Sequence, residues 1–311
     1  MYNLPFRTFK ISNSKDSLIN LCDLDNIIIL SFNGLNINFD NNYLNIDNNF
    51  ILNNSKHSLN QINFKLLFIG PNPYGKFNDF INKLNINLDN KSSLFLLFYS
   101  FWINEKTKLE YYCEVIIKSI IKTELNNNNN NNNLEVDFIL EQLTNWKKEE
   151  DKLFEIKPNK TSGKRYNEHN NKYYFKLNRI KYTNQYNEKI KISNNSYLAS
   201  DTLITINGPT KDPYLKLENI NGKVISELKI NAEINENEKI IIDSRLKTQS
   251  IIKVDLKTEK SYNIYQYQDF KYTNFIQIPP GNYHILYSSN LSKDKQVGNI
   301  NIKKFEEYIL I

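Results

Sequence analysis

Apolar and polar positions alternate with period two along most of this chain. Between residues 113 and 122, Cys113, Val115, Ile117, Ser119 and Ile121 fall on one face, and Glu114, Lys118 and Lys122 on the other. Between residues 134 and 141, Leu134, Val136, Phe138 and Leu140 share a face opposed by Glu135, Asp137 and Glu141. Successive side chains of a strand point to opposite sides, so each run buries one face and wets the other. Together they predict an antiparallel hairpin, with the tract Asn126–Asn133 at its tip. Asparagine tolerates turn conformations, and loop-closure entropy grows slowly with length. The tract is therefore expected to be tolerated drift in an Asn-, Lys- and Ile-rich chain rather than a binding element.

The same pattern organises the rest. "NIIILSFNG", "LNINFD" and "NFKLLFIG" predict short strands in the first 70 residues, and "LFLLFYSFW" (Leu94 to Trp102) a buried strand. One segment has a helical period. In "PNPYGKFNDFINKLN", Phe77, Phe80, Ile81 and Leu84 form a single stripe after Pro71 and Pro73, which predicts a helix near 73–86. The charged stretch 147–165 shows no apolar face over most of its length and marks a domain junction. The second half reads as strands throughout: "KYYFKLNRIKYT", "LITINGP", "PYLKLEN", "KVISELKI", "KIIIDSR", "SIIKVDLKT", "YNIYQY", "NFIQIPPG", "YHILYSS" and "VGNINIKKF". Asn221-Gly222 is a hairpin signal. Strands this closely spaced predict a β-sandwich. The expected fold is mainly β, with two β-sandwich domains over 1–155 and 156–311 and one helix in the first.

Composition narrows the class. The 311 residues leave room for about two domains. The chain is 40% hydrophobic and 13% aromatic, enough to build cores, and its 8 Gly and 8 Pro exclude collagen-like or linker character. The net charge of +6 comes without the dense Lys/Arg stripe that phosphate binding leaves, so no specific nucleic-acid binding is expected. Cys22 and Cys113 are too few and too far apart for a disulfide framework. The start "MYNLPFRTFK" lacks the apolar stretch of a signal peptide, which predicts synthesis in a cytoplasm without Sec export. No apolar run approaches the ~20 residues of a membrane helix.

Candidate chemistry is sparse. His57, His169 and His284 are scattered without paired spacing, which argues against a metal site or a catalytic triad. Gly163-Lys164 lacks the rest of a phosphate loop. The stretch Asp23 to Asn26 lacks the rest of a calcium loop and reads as a solvated turn. No cofactor and no catalysis are expected. Tyr262, Tyr265, Tyr267 and Tyr272 cluster in "SYNIYQYQDFKY". Exposed aromatic faces stack on sugars or anchor protein interfaces; the simpler reading places these tyrosines in a sandwich core and edge.

The ordered set "FKLLFIG", "PNPYGKFNDF", an apolar strand, "YYCEVIIKSIIKTEL" and "LEVDFILEQLTNW" resembles the N-terminal domain of siphophage distal tail proteins. The family's penultimate-strand pattern falls on Val115 to Glu124, and its "lTpW" on Leu143 to Trp146, with Asn145 in place of the usual proline. Gly208, Pro209 and Pro213, and later Pro280 and Gly281, fall where the family's C-terminal pattern expects them. The resemblance spans roughly residues 60–311. It implies a virion protein at the distal end of the tail, in which the N-terminal domain forms a homo-hexameric ring with a channel through which DNA passes. It also implies a galectin-like or jelly-roll-like C-terminal sandwich that projects outward. Implied partners are the tail tube protein, a tail-tip or tail-associated protein, and receptor-binding or baseplate proteins, with no membrane. The alternative reading is a carbohydrate-binding adhesin module that takes a host surface glycan.

Overall fold

The computed structural model describes residues 7–13, 18–23, 25–35, 39–46, 49–58, 60–84, 94–104, 107–123, 133–156, 189–290, 298–309 and 311. The Asn tract, except Asn133, lies outside these residues, as do "KYYFKLNRIKYT", Gly163-Lys164 and His169. Among the described residues the protein is mainly β with a single α-helix. Its elements are β1 (Arg7–Ser12), β2 (Leu18–Asn20), β3 (Ile27–Asn33), β4 (Phe39–Ile46), β5 (Asn49–His57), β6 (Gln61–Phe68), α1 (Pro73–Leu84), β7 (Phe95–Asn104), β8 (Thr107–Thr123), β9 (Leu134–Gln142) and β10 (Trp146–Ile156). There follow β11 (Lys189–Asn194), β12 (Asp201–Asn207), β13 (Thr210–Lys211), β14 (Tyr214–Asn219), β15 (Val224–Lys229) and β16 (Glu233–Ile234). The last are β17 (Glu238–Asp243), β18 (Ser250–Asp255), β19 (Ser261–Asn263), β20 (Gly281–Ser288) and β21 (Gly298–Tyr308). Residues Met1–Lys148 with Glu307–Ile311 form one compact unit, and Glu149–Glu306 a second.

In the first unit, alternation does what the sequence demands. β9 buries Leu134, Val136, Phe138 and Leu140, and its neighbour β6 buries Ile62, Phe64, Leu66 and Phe68 in register with them. Each such side chain contributes roughly 1.5–3 kcal/mol on leaving water. β7 pairs with β1 on one side and β8 on the other, and buries Phe95, Leu97 and Tyr99. Phe9 on β1 meets Phe32 at 4.8 Å and Phe64 at 4.9 Å, ring centroid to centroid, so the β1/β7 layer faces the β3/β6 layer across the core. β8 joins the layers: its first half pairs β7 and its second half pairs β9.

The hairpin of β8 and β9 forms as expected, with one correction. The pairing slips between Ile117 and Ser119, and beyond the slip Ile120 packs on the core while Ile121 is half exposed. A bulge inserts one residue, and a one-residue shift turns every later side chain to the other face. Helix α1 buries Phe80 and Leu84 and packs Phe77 and Ile81 against the same core. Its start is set by Asn72, whose Oδ1 accepts a hydrogen bond from the Gly75 N–H at 2.9 Å, followed by Pro73 in the first turn.

Beside a two-stranded sheet of β13 and β16, the strands of the second unit lie mainly in two layers, β19-β18-β17-β12-β21 and β11-β20-β14-β15. One isoleucine-rich core fills the space between them, with Ile204, Ile206, Ile240, Ile242, Ile300 and Ile302 from the first and Ile190, Ile192, Leu215, Leu217, Leu228 and Ile285 from the second. β-Branched side chains suit this role because they lose little rotamer freedom on a pleated surface. The Asn221-Gly222 turn joins β14 to β15, with Gly222 at φ +80°. "YNIYQY" departs from expectation: the strand ends at Asn263, and Tyr265–Tyr267 form a 3-10 turn. Asn263 Oδ1 accepts from the Tyr265 N–H at 2.9 Å, offering the backbone a local partner in place of a ladder.

The charged segment from 147 is also strand, to Ile156. Its charges answer those of β21: Lys147 lies 3.8 Å from Glu307, Glu149 pairs with Lys303, and Glu150 lies 2.6 Å from Lys304. Lys304 is fully buried and also contacts Glu306 at 2.6 Å and the Ser193 carbonyl, while Glu306 accepts from the Asn195 N–H at 3.1 Å. Burial alone pushes the Glu150 carboxyl up, but the hydrogen bond and charge of Lys304 outweigh it and hold the group below its ordinary value. Period-two hydrophobicity misses such a strand because paired charges stand where an apolar face is sought.

Candidate assembly surface

Among the described residues of the first unit, the arm formed by β4 and β5 exposes several large apolar side chains together. These strands form a two-stranded sheet of their own. Tyr43 pairs with Leu52, Leu44 with Ile51 and Asn45 with Phe50, which puts Tyr43, Leu52 and Phe50 on one face and Leu44 and Ile51 on the other. Phe50 is 74% exposed and Leu52 55%. A free two-stranded hairpin is marginal in water, and apolar side chains on both of its faces call for a partner. The root of the arm is fixed by Gly34, at φ +99°, where a Cβ would lie 1.9 Å from the Gln61 carbonyl oxygen. No side chain fits there. "LNINFD" had predicted a strand over part of this arm, but its lack of cover was not legible from the pattern.

A second feature of the same unit is an open cavity of about 380 Å³ lined by Arg7, Phe9, Cys22, Ile29, Leu30, Ser31 and Phe32. The Arg7 guanidinium carbon lies 5.8 Å from the centre of the Phe32 ring. Burial raises the Cys22 thiol above its ordinary value, and the fully buried Cys113 thiol is raised well above it.

In the second unit the four tyrosines do not converge on one place. Tyr265 stacks at 6.1 Å on Phe275 and meets the exposed Phe270 at 6.5 Å. Tyr262 sits on β19 opposite Lys253, and Tyr267 is half exposed beside this turn. Tyr272 turns away to pack on Tyr214 at 5.6 Å. The family-pattern positions are structural in their surroundings. Trp146 is buried against Tyr99 at 6.2 Å. Gly208 precedes Pro209 through a cis peptide, and a Cβ on it would meet the Asn235 carbonyl oxygen at 2.0 Å. Pro213 is buried and its carbonyl accepts from the Ile230 N–H at 3.1 Å; the Pro280 carbonyl accepts from the Tyr283 hydroxyl at 3.1 Å, and Gly281 opens β20 at φ +119°.

Of the other candidates, Asn26 Nδ2 donates to Asp23 Oδ2 at 2.6 Å and the Asn26 N–H to the Asp23 carbonyl at 3.0 Å. His284 lies within β20, opposite Lys191 on one side and Glu218 on the other. Among the described residues no three His, Cys, Asp or Glu side chains gather as a metal site, and no helix is long and apolar enough to cross a membrane.

This architecture has solved counterparts. A chain of the phage P2 baseplate in its activated conformation with Ca is 16% identical, with 98% of this chain and 99% of that chain covered at a TM-score of 0.56. The SPP1 Dit (gp 19.1) protein, described as a paradigm of the hub adsorption apparatus in phages infecting Gram-positive bacteria, is 9% identical, with 96% and 98% covered at a TM-score of 0.55. At such identities the likeness defines the fold: a two-unit β protein of the kind found in phage baseplates and adsorption hubs. Residues 8–143 match the family model of the distal tail protein N-terminal domain. No curated protein matches the chain.

Proposed function

We propose that this protein is a structural hub at the distal end of a siphophage tail. Six copies close a ring through their N-terminal units, and the ring continues the channel of the tail tube, through which DNA passes. The C-terminal, galectin-like units project outward and hold receptor-binding or baseplate proteins. No reaction is catalysed; rigid β-domains convert the symmetry of the tube into a docking platform, and repeated copies turn weak contacts into avidity. The observation that carries this reading is the uncovered β4–β5 arm inside a segment that matches the distal tail family. Head-to-tail contacts between identical copies close into rings when the rotation permits.

The test is the mass of the purified protein by light scattering with negative-stain imaging. A species near six times the 36.8 kDa chain with a central hole is the expected result. A monomer that stays monomeric in the presence of the tail tube protein counts against the ring. A second reading, a glycan-binding module, is favoured by the exposed rings of Tyr265 and Tyr267. It expects host cell-surface sugars to bind the full chain and Tyr265→Ala to abolish that binding.

A further inference from the structure

We infer that Asn221-Gly222 is a site of spontaneous deamidation, and that the fold confines this chemistry to one of the three Asn-Gly pairs in the chain, 33–34, 207–208 and 221–222. The Gly222 nitrogen attacks the Asn221 side-chain carbonyl carbon. A new N–C bond forms, the bond to the amide nitrogen breaks, and that nitrogen leaves with the proton as ammonia. The five-membered imide that remains takes up one water and opens at either carbonyl. One opening gives aspartate, and the other gives isoaspartate, whose main chain runs through the former side chain. The inference is independent of the ring reading.

Glycine after asparagine leaves the attacking nitrogen uncrowded, because it has no Cβ. The imide closes only when the asparagine backbone leaves its paired conformation and brings that nitrogen onto the side chain. Its rate therefore follows how cheaply each pair opens, and local opening ranges from nearly free at exposed tips to the global stability in core strands. Asn33 ends β3 in register with Asn63, whose Nδ2 donates to Asn33 Oδ1 at 2.9 Å, and Gly34 is packed against the Gln61 backbone. Asn207 ends β12 opposite Lys239, and the Gly208 N–H donates to the Glu238 carbonyl at 2.9 Å. Closing the imide at either place breaks strand pairing.

Asn221 stands between strands, beyond the last ladder pair of Glu218 with Val224. It and Gly222 are exposed, and a Cβ on Gly222 would meet nothing within 4 Å. The bonds that hold this turn are local. The Gly222 N–H donates to the Asn219 carbonyl at 3.0 Å, and Asn219 Oδ1 accepts from the Asn221 N–H at 3.0 Å and the Lys223 N–H at 2.8 Å. The first of these must open before the attack, and it opens without parting β14 from β15. Either product adds a carboxylate that is ionised at neutral pH. Isoaspartate also lengthens the main chain of the turn by one methylene, which pulls its N–H groups away from Asn219.

The experiment holds the full-length chain in warm, mildly alkaline buffer, once native and once unfolded in guanidinium chloride, and follows tryptic peptides by mass spectrometry. Asn221 falls in the peptide Leu217–Lys223, Asn207 in Ile192–Lys211 and Asn33 in Asp16–Lys56. In the native chain, Leu217–Lys223 is expected to exchange NH2 for OH at Asn221 at least about tenfold faster than the other two sites. The same peptide is expected to become a substrate for an isoaspartate-specific methyltransferase. In the unfolded chain the three sites convert at similar rates. Gly222→Ala slows conversion of Asn221 in the native chain by at least about tenfold, because the added methyl crowds the attacking nitrogen. A native Asn221 that stays intact while the unfolded chain converts overturns the site. Native conversion at Asn33 or Asn207 as fast as at Asn221, or the same disparity among the three sites after unfolding, overturns the selection by the fold. A Gly222→Ala chain that converts as fast as the native one overturns the attack by that nitrogen.

Discussion

Two hairpins of this protein have the same local design and opposite fates. In the second unit, β14 and β15 pair across an Asn-Gly turn, and Leu215, Leu217 and Leu228 disappear into the core because β20 extends the sheet and the other sheet covers it. In the first unit, β4 and β5 pair just as regularly, yet Leu44, Phe50, Ile51 and Leu52 stay in solvent. Backbone pairing therefore does not distinguish a core element from an exposed one. What distinguishes them is whether the same chain supplies a layer to cover the apolar face.

Matched substitutions test this contrast. The largest difference is expected between Gly34→Ala and Gly222→Ala. Both glycines have positive φ, but a Cβ at Gly34 meets the Gln61 backbone at 1.9 Å whereas at Gly222 it meets open space. Chemical denaturation should show a loss of at least about 3 kcal/mol for Gly34→Ala and about 1 kcal/mol for Gly222→Ala. Next comes the leucine pair. Leu217→Ala removes a fully buried side chain and should cost about 2–5 kcal/mol. Leu52→Ala should stay within about 0.5 kcal/mol in the single chain, and under the proposed ring reading it lowers the mass seen in light scattering. Equal effects of the two leucine changes on the unfolding midpoint would erase the contrast.

Acid gives the mildest test and compares the units as wholes. In the second unit Glu150, Glu238, Asp243, Asp255 and Asp269 are all held below their ordinary values. For Asp243, burial pushes the carboxyl up, but hydrogen bonds from Arg245 at 2.7 Å and Thr248 at 2.7 Å outweigh it. Among the described residues of the first unit, Glu110 alone is lowered; there burial works against hydrogen bonds from Lys108 and Ser100. A carboxylate depressed in the folded state supplies stability that is present above its unfolded value and lost as pH falls through its folded value. Hydrogen exchange followed from neutral pH to below the ordinary carboxylate range near pH 4 should therefore loosen the second unit first. Simultaneous loosening, or earlier loosening of the first unit, would contradict that assignment.

Much of this was legible in the chain itself. Period-two alternation located β6, β9 and the strands of the second core, a continuous apolar run located β7, and a single helical stripe located α1. Those signals are local, because a strand's faces and a helix's stripe follow from backbone geometry alone. The legibility failed where a non-local partner decides. At β8 the bulge after Ile117 reverses the inward face, since its second half answers to β9 rather than β7. At β10 the paired charges of β21 stand in for an apolar face. The tyrosines looked like one cluster in sequence, but Tyr272 belongs with Tyr214 on a different strand.

By itself, then, the sequence determined the class of the fold, the positions of most strands and the absence of any compact catalytic motif, because each depends on spacing along the chain. Only the tertiary structure decided which apolar faces meet and which remain uncovered. Phe138 and Phe50 are both aromatic residues on paired strands. One faces Phe80 at 5.7 Å because α1 folds over it; the other faces solvent because no element among the described residues does.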